Sequence, residues 1–471
     1  MKKTCPKGET DMNPVNKTDQ NKMEVNTVGL KRNNTIAVFG QGYVGLPLAL
    51  SFAMKGFKVF GVDINQALIK ELKQGKTKHL ESYQGKSIQE ILQEELDSGR
   101  YIPVDDYRQA LTQAGIIVVT VGAPIKDDGE VNNSPLKAVA REIGQSLKKD
   151  DLVLVRSTVV PGTTERVIQP ILESESGLVS GEDFDLAYSS ERIAEGKAFL
   201  EFSEMPTLVA GVTDSGRKRA SELLASLFGD GGEIVVSPSI EAVELSKVLE
   251  NLSRDINIGM VNEFAGLCEE LDLDIHHIID LANTHKRVNL LRPGPGVGGF
   301  CIPNAYYYLL PRAREAGLDL DLSSSAREIN DYRPRRVVER LKERLQEQGK
   351  SLDQCKIAIL GLAMKDYSSD HRQSPALDIV ELLLHQGGEV NCYDPEVSSG
   401  LIAGQVNDLW KCVQGASAVI FLTRQEEFDN LDFGQLKGKM LANPHSPLLL
   451  DPKKALSREE ATKEGIQYVI L

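Results

Sequence analysis

The chain has 471 residues, too many for a single hydrophobic core, and its 41% hydrophobic and 26% charged residues are those of an ordinary globular protein. Its 54 basic and 68 acidic residues leave a formal charge of −14, which excludes the broad basic footprint that nucleic acid requires; an anionic ligand would need a local cationic pocket. The six cysteines, at 5, 268, 301, 355, 392 and 412, contain no CxxC pair, and the seven histidines form neither HExxH nor a Cys/His cluster, so neither a disulfide framework nor a metal site is expected.

Residues 1–33 are polar, lack the apolar core of a signal peptide and read as a disordered tail. No apolar run anywhere reaches the roughly 18 residues of a membrane span. A cytoplasmic protein without membrane contact is expected. From Thr35 the pattern becomes strand, turn, helix, strand, in TIAVFG, QGYVGLPLALSFAMKG and FKVFGVD. Gly40, Gly42 and Gly45 form GxGxxG, with Tyr43 and Val44 in the turn, and Asp63 closes the next strand 18 residues after Gly45. Such glycines let a pyrophosphate reach a helix N-terminus, while the acid accepts from a ribose 2′-hydroxyl; its charge favours NAD over NADP. Further apolar runs, GIIVVTVG, LVLVRST, FDLAYSS, TLVAGV and EIVVS, alternate with helix-length segments and predict a parallel sheet covered on both faces. TVGAPI and STVVPGTTE follow two of these strands, where open parallel sheets bind ligands.

At Ser239 the pattern changes. From Ile240 to about Leu273 there is no proline, and the apolar spacing predicts one helix of roughly 50 Å. Along it Glu244, Lys247, Asn251, Arg254 and Asp255 recur at three- and four-residue steps and share a face, either solvated or clasped between lobes. Upstream, SSERIAEG spaces Glu191 and Glu195 as on one helical turn. Downstream, GPGVGGFC sets Cys301 after four glycines in six residues, a turn that fixes the cysteine as either a packed residue or a placed thiol. From KIAILGLA a second alternating series runs to the C-terminus through EVNCYDP, SAVIFLT, PLLLD and QYVIL. The expected fold is α/β: two Rossmann-like parallel-sheet lobes, 34–238 and 349–471, joined by a helical middle domain, 239–348, with one long central helix. Apolar residues on more than one side of that helix, such as Val248, Leu249, Met260 and Val261, predict a homodimer built around it.

Taken together, GQGYVGLPLA, STVVPGTTE, SERIAEG, ELSKVLENLSRDINIGMVNE, HKRVNLLRPGPGVGGFC, AREIND and KIAILGLAMKDYSSDHRQSPA resemble the UDP-glucose/GDP-mannose dehydrogenase family. Its NAD-dependent enzymes oxidise a nucleotide sugar twice at C6. The wording RVNLLRPGPGVGG is most similar to the branch acting on UDP-N-acetylhexosamines, UDP-N-acetylmannosamine or UDP-N-acetylglucosamine. The resemblance implies that Cys301 is the nucleophile, capturing the C6 aldehyde as a thiohemiacetal that is oxidised to a thioester and hydrolysed to the uronic acid. It gives Lys247 and Asn251 to water or oxyanions, Thr158 to that water and to the cofactor, and Glu191 to thioester hydrolysis. Glu195 matches an acid near the cofactor. Gly298 belongs to the glycine loop that holds the cysteine beside the substrate, Lys365 and Arg372 take the diphosphate, and Arg287 stands near the sugar, reaching across a dimer.

Four positions depart from the family pattern. Asn304 and Ala305 stand where a C-x-P-x-D acid is common, and Phe300 stands where the N-acetylhexosamine branch has His. SSERI lacks a proline before the glutamate, and LLLDPKK offers Lys453 in place of an arginine. Losing the acid removes a proton acceptor beside Lys247. The alternative this leaves is a catalytically impaired paralogue that binds NAD and nucleotide sugar without full turnover.

Overall fold

The apolar runs become strands buried on both faces, the pattern of sheets sandwiched between helices. The computed structural model describes residues 34–126, 128–193, 196–228, 232–440 and 447–470; the tail assigned to 1–33 and the site residue Glu195 lie outside them. The first lobe contains β1 (Thr35–Phe39), β2 (Lys58–Val62), a small hairpin of β3 (Ser82–Tyr83) and β4 (Lys86–Ser87), then β5 (Tyr101–Val104), β6 (Ile116–Val119), β7 (Leu152–Val155), β8 (Asp185–Ser189), β9 (Thr207–Gly211) and β10 (Ile234–Ser237). Its eight-stranded sheet has the order β10-β9-β8-β7-β6-β1-β2-β5. Ala37 and Phe39 of β1 feed the core on one face, and Ile36 and Val38 the core on the other.

Two features differ from the sequence expectation. β8 and β9 pair antiparallel, and β10 follows β9, so one edge of the sheet runs backwards. An antiparallel neighbour needs no crossover, which frees the segment after Ser189 to form the loop that carries Glu191. The strand at Tyr101–Val104 carries Pro103, which argues against a strand in the sequence; at the sheet edge a missing ladder donor is tolerated.

The second lobe is a wholly parallel five-stranded sheet of β11 (Lys356–Leu360), β12 (Glu389–Tyr393), β13 (Ala418–Phe421), β14 (Leu448–Asp451) and β15 (Gln467–Ile470), ordered β12-β11-β13-β14-β15. Two long helices join the lobes. The first spans Ile240–Glu270, capped by the Ser239 hydroxyl accepting from Ala242 N at 3.1 Å, and it ends three residues short of Leu273 because Asp272 turns left-handed at φ 54°. Its Ile240, Val243, Val248 and Leu252 complete a core of the first lobe, while Val337, Val338, Leu341 and Leu345 of the Asp321–Glu347 helix complete one of the second.

These helices cross at Gly259, where a Cβ would stand 2.9 Å from the Ala326 carbonyl oxygen. Gly259→Leu is therefore expected to destabilise the chain by about 1–3 kcal/mol through overpacking, whereas Gly266→Leu, with no heavy atom within 4 Å of its Cβ position, should not. Thermal unfolding of the two variants by circular dichroism checks the contrast; equal midpoints would show that the crossing is loosely packed.

Candidate active site

The first part of the site is the turn between β1 and the Gly45–Met54 helix. Gly40 has φ 90°, and a Cβ on Gly45 would overlap the Gly40 carbonyl oxygen and stand 2.7 Å from Thr120 Oγ1, so the helix start is pressed against the strand ends. Gly42 faces open space, with no heavy atom within 4 Å of its Cβ position. No side chain caps this helix at Val44. Asp63, at the end of β2, ties the turn down: Oδ2 accepts from Gln41 N at 2.7 Å and Oδ1 from Asn65 N at 2.9 Å. An uncapped N-terminus behind an open glycine turn, with a carboxylate at the neighbouring strand end, fits a dinucleotide.

The second part lies at the ends of β7 and β8. Arg156 and Glu191 form a buried ion pair, with Nη2 to Oε2 at 2.7 Å and Nε to Oε2 at 3.2 Å. The other carboxylate oxygen accepts from Arg192 N at 2.8 Å and Ile193 N at 3.0 Å, so Glu191 receives four hydrogen bonds. Residues 191–193 are irregular rather than a helical turn, because the fixed carboxylate turns the chain back on its own backbone amides. Thr158 is half-buried on the loop after β7.

The third part is the long helix. Its polar face is buried except at Arg254, which settles the stripe as clasped between lobes. Glu244 accepts from the backbone N–H groups of Gly162 and Thr164, capping the PGTT turn beyond Thr158. Asp255 accepts from Arg327 Nη1 at 2.7 Å and Asn330 Nδ2 at 2.8 Å, and Asn262 accepts from Gly294 N at 3.1 Å. Lys247 (7% exposed) and Asn251 (1% exposed) lie between these fixed points. Burial pushes the Lys247 ammonium below its ordinary range, with Cys301, Glu250 and Glu191 opposing. Asn251 Nδ2 is a buried donor without a partner among the described residues.

Cys301 is the one exposed thiol among the described cysteines and lies within electrostatic reach of Lys247. The glycine loop before it lies against the second lobe: a Cβ on Gly298 would stand 2.7 Å from the Gln373 carbonyl oxygen and 2.8 Å from Pro375 Cδ. From that lobe Lys365 is half-buried and near Glu81, whose carboxyl burial pushes up, and Arg372 pairs with Asp370. Lys453 donates to Asp366. Arg287 is exposed on the segment after the Ile275–Ala282 helix. Among the described residues no group of three or more His, Cys, Asp or Glu could hold a metal ion.

Three consecutive family models match this arrangement: the UDP-glucose/GDP-mannose dehydrogenase family's NAD binding domain over residues 34–229, its central domain over 241–332 and its UDP binding domain over 358–458. The chain belongs to the UDP-glucose/GDP-mannose dehydrogenase family. It is 32% identical over 453 residues to the UDP-N-acetyl-D-mannosamine dehydrogenase of Methanocaldococcus jannaschii, covering 96% of this chain and 98% of that one. It is 35% identical over 405 residues to the enzyme of the same name from Pyrococcus horikoshii, covering 86% and 93%. The solved UDP-D-ManNAc dehydrogenase structure from Pyrococcus horikoshii superimposes with a TM-score of 0.84 at 32% identity, covering 93% of this chain and 98% of that one. The protein is thus a NAD-dependent nucleotide-sugar dehydrogenase, and the open turn at Gly42 lies in its NAD binding domain.

Sequence reasoning missed Arg156 and the capping role of Glu244. The signal for Arg156 was a charge directly after the apolar run LVLV, where only a buried partner would tolerate it.

Burial pushes the Glu244 carboxyl up to about 7 from 4.5, although the Thr164 and Gly162 donors oppose the rise. The folded state therefore holds that proton more tightly than the unfolded chain, so this contribution to stability is full below about 4.5 and lost as pH rises through about 7. In urea titrations across this window, Glu244→Gln is expected to lose less stability with rising pH than the native chain. Parallel pH profiles would show that the carboxyl does not titrate there.

Proposed function

We propose that the chain oxidises the C6 alcohol of a UDP-N-acetylhexosamine to the uronic acid through a Cys301 thioester, with UDP-N-acetyl-D-mannosamine as the first substrate to test. The observation that carries this reading is the pair Lys247 and Asn251: a buried ammonium within electrostatic reach of Cys301 and, one helical turn on, a buried amide donor without a partner among the described residues. Buried donors left unpaired are costly, and an oxyanion on C6 would satisfy both.

When bound, NAD supplies the hydride acceptor for both oxidations. The proton of the C6 hydroxyl leaves to a water held by Lys247 Nζ and Thr158 Oγ1. Cys301 Sγ adds to the aldehyde carbon, and Lys247 Nζ and Asn251 Nδ2 hold the resulting oxyanion. After the second oxidation water attacks the thioester carbonyl, one of its protons passes to the departing Cys301 sulfur as the C–S bond breaks, and the thiol and the carboxylic acid separate, the acid giving its proton to solvent. Glu191, already accepting four hydrogen bonds, assists hydrolysis as a fixed negative charge opposite Lys247 rather than as the base. Lys365 and Arg372 take the diphosphate, Arg287 reaches the sugar from a second copy, and Asp63 accepts from the adenosine ribose of NAD. The domains run 34–238 for NAD, 239–348 for the helical centre and 349–471 for the UDP-sugar.

The retained Cys301, Lys247, Asn251 and Glu191 favour turnover over the impaired alternative. Incubation with NAD and a panel of UDP- and GDP-sugars, read at the NADH band, is expected to give two NADH per UDP-N-acetylhexosamine with the native chain and at most one with Cys301→Ser. Two equivalents from Cys301→Ser, with uronate seen by mass spectrometry, would remove the cysteine from the mechanism.

The working unit is a homodimer packed on the far side of the long helix, where Phe264, Leu267 and Leu271 are exposed. Among the described residues no helix is long and apolar enough to cross a membrane, in keeping with a cytoplasmic setting. Light scattering at micromolar concentration should give twice the chain mass, and Leu267→Glu should shift it toward the monomer. A native monomer with full activity would overturn this.

A further inference from the structure

Arg372 stands where three parts of the chain meet. Its guanidinium carbon is 4.3 Å from the centre of the Tyr43 ring, on the dinucleotide turn, and 4.8 Å from the centre of the Phe300 ring, directly before Cys301. Two hydrogen bonds to buried Asp370 fix the plane of the guanidinium, Nε to Oδ1 at 2.8 Å and Nη2 to Oδ2 at 2.6 Å. Its carbonyl oxygen accepts from Gly299 N at 3.2 Å, so the same residue holds the backbone of the cysteine loop. A guanidinium bonded in its own plane keeps its faces for aromatic rings, which a lysine in its place could not do.

These contacts link a turn of the first lobe to a loop of the middle through one residue of the second. Gly298 and Gly299, the latter at φ 77°, let the loop lie against Met364 and Pro375, but glycines do not themselves restrain the chain. The restraint on the residue next to Cys301 comes from the ring of Phe300 on Arg372. We infer that Arg372 and Phe300 are positioning residues that hold the Cys301 loop against the dinucleotide turn, so that the placement of the nucleophile depends on Tyr43. For turnover this rests on the reading of Cys301 given above; for the geometry of the loop it does not.

The test is the rate at which iodoacetamide alkylates Cys301 in the full chain without other ligands, followed by peptide mass spectrometry. The other described cysteines are buried. Tyr43→Leu and Phe300→Leu are each expected to speed labelling of Cys301 at least about threefold by loosening the loop. The double variant should label no faster than the faster single, because both act through Arg372. Phe300→Tyr, which keeps a ring face, should restore the native rate. Arg372→Lys keeps the charge, loses the planar face and should label like the leucine variants, which guards against a Phe300 variant that fails to fold. Native-like labelling in Tyr43→Leu or Arg372→Lys, or singles whose effects multiply, would overturn the inference. Labelling as expected, together with uronate formed by Cys301→Ser, would leave the positioning standing and remove the nucleophile alone.

Discussion

The structure turns on the burial of one polar helix face. Glu244, Lys247, Asn251 and Asp255 are placed by the three- and four-residue step of a single helix, and all four are buried, Glu244 against the first lobe and Asp255 against the second long helix. A buried polar group without a partner costs about 1–3 kcal/mol, and a charge more, so each of these side chains must find one. Glu244 finds it in the backbone of the PGTT turn and thereby sets the loop that carries Thr158. Asp255 finds it in Arg327 and Asn330, which locks the two long helices together. Between these two anchors Lys247 is buried, and the Asn251 amide nitrogen has no partner among the described residues. The two ends of the face are tied into the fold by hydrogen bonds from both neighbouring segments.

The same constraint explains what could be read from the sequence. Strand runs such as TIAVF and KIAIL, the GxGxxG turn and the long helix are local signals, carried by period and by glycine placement, and they survive folding unchanged. The polar stripe was legible as a stripe. Whether water or protein covered it depended on where two lobes would dock, which no local window contains. The reversed edge of the first sheet had the same cause, since β9 reads as a strand in either direction. Pro103 hid an edge strand because proline opposes a strand everywhere except where no neighbour claims its amide.

The site was legible in residue types and less so in roles. Cys301 came from resemblance, and Lys247 and Asn251 from spacing and resemblance; the structure buries the last two on one helix face and leaves the first exposed. Glu191 is present but saturated, because Arg156, a residue hidden at the end of an apolar strand, occupies one side of its carboxylate. Pairing of that kind joins residues 35 apart and leaves no periodic trace. A carboxylate that already accepts four hydrogen bonds has little acceptor capacity left for a further donor.

Ala305 occupies the position where the family pattern carries an acid, and here it is 1% exposed within a core of the first lobe, beside Tyr308, whose hydroxyl donates to the Ala123 carbonyl at 2.7 Å. An aspartate there would be desolvated among apolar neighbours, whereas alanine packs into the core at the start of the Pro303–Glu315 helix. That helix begins two residues after Cys301 without a side-chain cap; Pro303 has no amide hydrogen and the Ala305 amide donates to the Ile302 carbonyl, so what it turns toward the cysteine loop is the positive end of its dipole. Lys247 lies within electrostatic reach of the cysteine from another helix.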